Sequence, residues 1–207
     1  MYHQSGPPGA DGLDHGGVCI LVKDHIGHVP VSLTTDLQAV AIQCHLGRKY
    51  TICSIYIPPN RALQLEQLEN LISQLPSPFL ILGDFNARHP HWGDTISNNK
   101  GVIIENLLAT GICSILNKDL PTHFHSATNS FSYIDLSLCS PELLSDFTWD
   151  ASEDLYHNDH FPTRLSLSDS TASHVPGHYI YEKADWNLFQ DAAVCTRQLE
   201  SFPSVDE

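Results

Sequence analysis

Basic residues are scarce in this chain. Lys and Arg together number 10 against 24 Asp and Glu, giving a formal net charge of −14 over 207 residues. A surface that neutralises phosphates broadly carries the opposite sign. A general nucleic-acid coat is therefore excluded, and any contact with such a polymer must be local or helped by a metal ion. Thirteen His offset some of the charge only at mildly acidic pH. None of the six Cys pairs at C-x-x-C spacing, and Cys19, Cys44 and Cys53 stand inside apolar runs. Cys in such runs behaves as a small core residue, so a reduced, intracellular protein is expected rather than a disulfide framework. No apolar run approaches the ~20 residues of a membrane span. The opening MYHQSGPPGADGLDHGG has no basic n-region and no apolar h-region, which argues against a signal peptide. A soluble chain of one domain, or one domain plus a tail, is expected.

What is present is a series of short apolar segments. Residues 1–15 read as an irregular N-terminal segment rich in Gly, Pro, Asp and His. GGVCILVKD (16–24) predicts a buried strand. QAVAIQCHL (38–46) and YTICSIYI (50–57) alternate, with Gly47-Arg48 in a short turn between them, which is a hairpin signal. Asn60 is placed to cap a helix over RALQLEQLENLISQL. In that segment Leu68, Leu71, Ile72 and Leu75 fall on one helical face. FLIL, ICSIL (112–116), SYIDLSLCS (132–140), DFTWD (146–150) and HFPTRLSLS (160–168) predict strands, and KGVIIENLLATG predicts a helix closed by Gly111. Together they predict an α/β sandwich of two mixed, largely antiparallel sheets flanked by helices.

Chemistry concentrates in four places. In LILGDFN, Asp84 and Asn86 lie two apart at the end of a strand, so they face the same way while Phe85 turns back to the core. A carboxylate and an amide beside a glycine suit water activation and the binding of phosphate or a hard metal ion. The same two residues equally suit the start of a turn. In HNDHFP, Asp159-His160 opens the last strand and suits a metal or a leaving group, or else a solvated loop. In SYIDLSL, Asp135 and Ser137 lie opposite Ile134 and Leu136. Asp135 there suits orienting a His, although an exposed polar sheet face is the simpler reading. Tyr56, before Pro58-Pro59, suits packing or a phosphate contact.

SIYIPPN, LILGDFNARHPHWGD, PTHFH, SYIDLSL and NDHFPTRLSL occur in that order. In that order they resemble the endonuclease–exonuclease–phosphatase superfamily, the fold of abasic-site endonucleases and sphingomyelinases. GDFNARHPHWGD, GGVCILVKD and KADWNLF are more particularly similar to the endonuclease domain of jockey-type non-LTR retrotransposons. The resemblance covers roughly residues 16–190. It implies metal-assisted hydrolysis of a DNA phosphodiester, leaving a 3′-hydroxyl, with Mg²⁺ or Mn²⁺ as cofactor. It assigns Asp84 to the attacking water, Asn86 to water and phosphate, and Asp159 to the metal site, with Asp84 and Asn86 also near the metal. His160 would stabilise the phosphate with Asp135 behind its ring, and Tyr56 would contact the phosphate. It further implies DNA as substrate, a reverse transcriptase domain as partner in a polyprotein, and action in the nucleus.

Two departures from the family pattern shape the expectation. Asn158 replaces a Ser before the Asp-His pair. The family's opening strands, with an Asn and a metal-binding Glu, have no match, since residues 1–15 hold Asp11 and Asp14 but no Glu. The expected organisation is an endonuclease-like domain over 16–168, its first strands absent, then a linker and helix over 169–207 leading toward a reverse transcriptase. A catalytically inactive fragment of the same fold is the alternative. A zinc-binding module built on His89/His91, His123/His125 and His157/His160 is a weaker one.

Overall fold

In a computed structural model, the structure describes residues 1–6 and 16–168. The expected linker and helix of 169–207 lie outside the described residues, as do residues 7–15. The strands are β1 (Tyr2–Ser5), β2 (Gly17–Ile20), β3 (His28–Val31), β4 (Gln38–Leu46), β5 (Arg48–Tyr56), β6 (Phe79–Asp84), β7 (Ser114–Ile115), β8 (His123–His125), β9 (Ser130–Ser132), β10 (Asp135–Cys139), β11 (Phe147–Ala151) and β12 (Thr163–Leu167). Two helices, α1 (Leu65–Ser73) and α2 (Asn99–Ala109), join them.

One six-stranded mixed sheet organises the molecule, in the order β3-β4-β5-β6-β10-β7. β5 and β6 are parallel and the other pairs antiparallel. A parallel pair needs a crossover, and α1 lies in the connection between β5 and β6. The β4–β5 hairpin turns on Gly47 at φ 78°, which glycine adopts without steric cost.

The sheet is buried on both faces, which explains why β6 at its centre opens with the unbroken apolar run FLIL. Cys53, Ile55, Phe79, Ile81, Leu136 and Leu138 join a core with Leu68, Leu71 and Ile72 of α1 and Ile104 and Leu107 of α2. On the other face, Ile42, Cys44, Tyr50, Leu80 and Cys139 pack with Trp149 and Ala151 of β11. The second layer consists of two-stranded pairs, β1–β2 and β11–β12. Ser137 is buried there, and its Oγ accepts a 3.1 Å hydrogen bond from Trp149 Nε1. The face of β10 carrying Asp135 and Ser137 is thus an interior surface, not the exposed polar one that its alternation also allowed.

Two expectations need correction. The segment 1–15 is not wholly irregular, because Tyr2–Ser5 pairs with β2 in the register Tyr2↔Ile20. Tyr2 packs edge-on against His28, and Gln4 Oε1 accepts the Ala39 N–H at 2.9 Å, so side chains hold a strand that has little apolar content. Asn60 does not cap α1. The helix starts later, at Gln64, whose N–H donates to Gln67 Oε1 at 2.8 Å. The Arg61 N–H donates to Pro58 O, which keeps residues 58–61 in a turn. Short strands β3, β8 and β9 were not anticipated, since three or four residues rich in His, Ser or Pro give no periodic signal. No helix among the described residues is long and apolar enough to cross a membrane.

Candidate active site

Tyr56, Asp84 and Asp135 form a row across three neighbouring strands. Tyr56 pairs with Asp84 between β5 and β6, and Asp135 pairs with Asp84 between β6 and β10. Strand alternation puts all three on the face that buries Tyr50, Leu80 and Cys139. They occupy its end, where apolar packing gives way to solvent. Gly83 allows this crowding: a Cβ there would lie 1.8 Å from Ile55 O.

After Asp84 the strand ends in a tight turn, and Phe85 is fully buried. Asn86 takes a left-handed φ of 49°, which Asn tolerates better than most residues. Its N–H donates to Asp84 Oδ1 at 2.8 Å, and its Nδ2 donates to Asp84 Oδ2 at 2.7 Å and to Ile57 O at 3.2 Å. The turn and the paired side chains are therefore one object. Asn86 Oδ1 takes part in none of these bonds.

His160 arrives from the far end of the chain. Its Nδ1 lies 2.8 Å from Asp135 Oδ2. The backbone around it is clamped to β8: the Phe124 N–H donates to Asp159 O at 2.7 Å, and the Phe161 N–H to Thr122 O at 2.8 Å. Thr122, fully buried, accepts the Ile134 and Asp135 N–H groups on Oγ1, each at 3.0 Å. One hydroxyl thus ties the start of β10 to the clamp that holds His160.

The electrostatics follow from this crowding. Burial, and then the negative charge of Asp135, push the Asp84 carboxyl from 3.8 up to about 6; the Asn86 N–H, His160 and Lys100 oppose the rise. The hydrogen bond to Asp135 raises His160 above its ordinary value, against the effect of burial. Burial, with a smaller contribution from Asp84, raises the Tyr56 hydroxyl. Two carboxylates that repel each other, with an amide oxygen beside them, are a donor set that fits a hard divalent cation.

Asp159 stands apart from that pair. Its side chain is 75% exposed, and its Oδ2 lies 3.9 Å from His123 Nε2. The six imidazoles considered for a zinc module do not gather in one place. His91 Nδ1 contacts Glu105 Oε2 at 2.5 Å, with His89 nearby, and His125 Nδ1 meets Thr128 Oγ1 at 2.7 Å. His123 and His160, however, pack edge to face with ring centroids 4.7 Å apart.

Sequence reasoning passed over several supports. Lys100 is buried, and its Nζ donates to Pro58 O and Pro59 O at 2.5 and 3.0 Å. Burial lowers its pKa although Asp84 opposes this. Asn98, a cap signal before an apolar run, accepts the Gly101 N–H at 2.8 Å and donates to Asn86 O at 2.9 Å, fixing the turn to α2. The HPHWGD segment is a brace. Trp92 is buried and donates to Ala87 O at 3.3 Å, and buried Asp94 holds Arg88 through two bonds of 2.8 and 2.9 Å.

A family model described as endonuclease-reverse transcriptase matches residues 50–164. The chain is 26% identical over 206 residues to a probable RNA-directed DNA polymerase from transposon X-element of Drosophila melanogaster, covering 97% of this chain and 22% of that protein. It is 28% identical over 128 residues to the RNA-directed DNA polymerase from mobile element jockey of the same fly, covering 60% of this chain and 14% of that protein. The chain thus spans about a fifth of the length, or less, of these relatives. Among solved structures, the endonuclease domain of TRAS1, a telomere-specific non-LTR retrotransposon, matches with a TM-score of 0.66 at 22% identity, over 80% of this chain and 77% of that one. An endonuclease/exonuclease/phosphatase family protein from Leptotrichia buccalis matches at 0.55 and 13% identity, over 81% and 70%. At these identities the structural likeness is one of fold. The family match spans more than half of the residues and includes Tyr56, Asp84, Asn86, Asp135, Asp159 and His160, and the chain belongs to the endonuclease-reverse transcriptase family.

Proposed function

We propose that this domain hydrolyses phosphodiester bonds of DNA and nicks it to leave a 3′-hydroxyl. We place it as the endonuclease part of a retrotransposon polyprotein that also carries a reverse transcriptase and acts on nuclear DNA. The observation that carries this reading is the row Tyr56–Asp84–Asp135, with Asn86 bonded to one carboxylate and His160 to the other.

Asp84 and Asn86 Oδ1 would hold Mg²⁺ or Mn²⁺, with Asp159 joining them once its exposed side chain turns toward them; the ion when bound neutralises charge on the phosphoryl and leaving oxygens. Asp84 takes a proton from the attacking water. Asn86 orients that water and the phosphate. His160, fixed through Nδ1 by Asp135, presents its Nε2 side to the phosphate oxygen that gains charge. Tyr56 donates its hydroxyl to another phosphate oxygen. Phosphorus gains a bond to the water oxygen and loses its bond to the 3′ oxygen, which takes up a proton from solvent and departs as the hydroxyl, while Asp84 returns its proton to solvent.

The acidic charge favours a second reading, a domain of the same fold that binds or ignores DNA without cutting it. Nicking of supercoiled plasmid with Mg²⁺ or Mn²⁺ separates the two. The first reading expects nicks from the native chain and none from Asp84→Ala or His160→Ala. A folded native chain that does no more than these variants establishes the second.

A further inference from the structure

We infer that His123, Asp159 and His160 form a transition-metal site, suited to Zn²⁺, at the edge of the proposed active site. One donor atom from each of the three lies within 4.8 Å of the others. Geometry of the outer contacts sets this cluster apart from a chance meeting of side chains. His160 Nδ1 is engaged by Asp135 Oδ2 at 2.8 Å, and His123 Nδ1 by Ser132 Oγ at 3.0 Å. Each ring is thus anchored through Nδ1 by an oxygen, leaving Nε2 as its free nitrogen. Metal-binding imidazoles characteristically use one nitrogen for the metal while the other is held by a carboxylate or similar group.

The spacing is close to what a metal requires. Zinc–nitrogen and zinc–oxygen bonds of ~2.0–2.2 Å at tetrahedral angles separate neighbouring ligand atoms by roughly 3.4 Å. His123 Nε2 and Asp159 Oδ2 are 3.9 Å apart, and the exposed Asp159 side chain has room to close the difference. The rings are held by backbone as well, since His123 and His160 form an antiparallel bridge. Two nitrogens and one oxygen suit Zn²⁺ rather than Mg²⁺, which prefers oxygen alone. Three protein ligands leave a fourth position open. In the function proposed above His160 serves the phosphate and Asp159 the Mg²⁺, so Zn²⁺ held by both would withdraw them from substrate and cofactor and inhibit nicking. That consequence rests on the proposed function; the metal site does not.

The test is titration of the full chain with Zn²⁺ alone, followed by calorimetry, with Co²⁺ absorption as a probe of geometry. One Zn²⁺ per chain is expected. Binding should weaken at least tenfold in His123→Ala and also in His123→Gln, which preserves bulk if Ala disturbs the fold. Ser132→Ala should weaken it by about tenfold through loss of the outer contact. His125→Ala, away from the cluster, should leave it unchanged. Absence of stoichiometric Zn²⁺ binding, or equal binding by native protein and folded His123→Gln, overturns the site. If Zn²⁺ binding depends on His123 but Mg²⁺ supports no nicking, the metal site stands and the nuclease reading falls. If nicking occurs while Zn²⁺ binding ignores His123, the reverse holds.

Discussion

Asp84→Asn should inactivate the domain and also stabilise it when no divalent cation is present. Asp84 is pushed from 3.8 to about 6 in the fold, first by burial and then by Asp135. The folded state therefore holds the proton more tightly than the unfolded chain. Stability falls as pH rises between these two values and is level above the upper one. Just over two units, at about 1.4 kcal/mol each, place the cost of the ionised carboxylate near 3 kcal/mol at neutral pH. Asn carries no charge and its Oδ1 still accepts the Asn86 N–H. Its NH₂, however, meets Asn86 Nδ2, donor against donor, at a cost of about 1–2 kcal/mol. A net gain of about 1–2 kcal/mol corresponds to a Tm roughly 2–8 °C higher for a domain of this size. The assay is thermal unfolding of both proteins with EDTA at about pH 7.5 and about pH 4.5. At the lower pH most of the cost has gone, and the variant should be no more stable than the native chain. Adding Mg²⁺ at the higher pH should raise the native Tm and close the gap. A variant less stable at the higher pH, or a difference that ignores pH, would refute the account of two repelling carboxylates.

Gly83→Ala should abolish soluble expression or lower Tm severely, because the new Cβ would sit 1.8 Å from Ile55 O in the adjacent strand. Trp92→Ala removes a fully buried ring from the brace beneath the Asp84–Asn86 turn and should cost about 3–5 kcal/mol in urea denaturation. Thr122→Val leaves the Ile134 and Asp135 N–H groups without their acceptor and should cost about 1–3 kcal/mol for each, with Thr122→Ser restoring most of it. Asp135→Asn should lower the His160 pKa in an NMR titration, because the hydrogen bond to Asp135 is the main cause of its rise. The His160–Asp135 pair stabilises the fold fully below the unfolded His value and loses that effect as pH rises through the raised folded one. His160→Gln should therefore destabilise more in mildly acidic than in alkaline buffer; equal losses would count against the pairing.

Much of this was legible because strand alternation is a strict rule. The parity that put Phe85 in the core and Asp135 opposite Leu136 holds in the structure, whereas the shared face of the two carboxylates comes from the pairing of β6 with β10, which no local pattern shows. The β4–β5 hairpin and the apolar face of α1 were equally plain, since their periodicity runs for a full element. Contacts made across the fold carry no such signature. Nothing local in PTHFH shows that Thr122 will receive two N–H groups from β10, or that His123 will meet His160. Asp159 looked like a companion of Asp84, yet its Oδ2 lies 3.9 Å from His123 Nε2, because the bridge to β8 sets its position. The start of α1 was misread because a Gln–Gln capping contact is a weaker sequence signal than Asn60. The HPHWGD segment, which entered only through the resemblance, is a brace, and nothing local in it shows that Trp92 and Asp94 will be buried.

The bridge between His123 and His160 also has a bearing on synthesis. The candidate site draws on positions 56, 84, 86, 135 and 160, and the backbone of its last member is held by pairing with β8 and by Thr122 just before it. A ribosome releases the chain from its N-terminus at roughly 5–20 residues per second, so the carboxylate row can assemble seconds before its histidine emerges. Until then the nascent chain carries two adjacent acids without the imidazole that hydrogen-bonds Asp135. Any cutting capacity would switch on late and in one step, when the Asp159–Phe161 segment docks, so that truncated translation products ending before residue 160 would be harmless to the DNA around them.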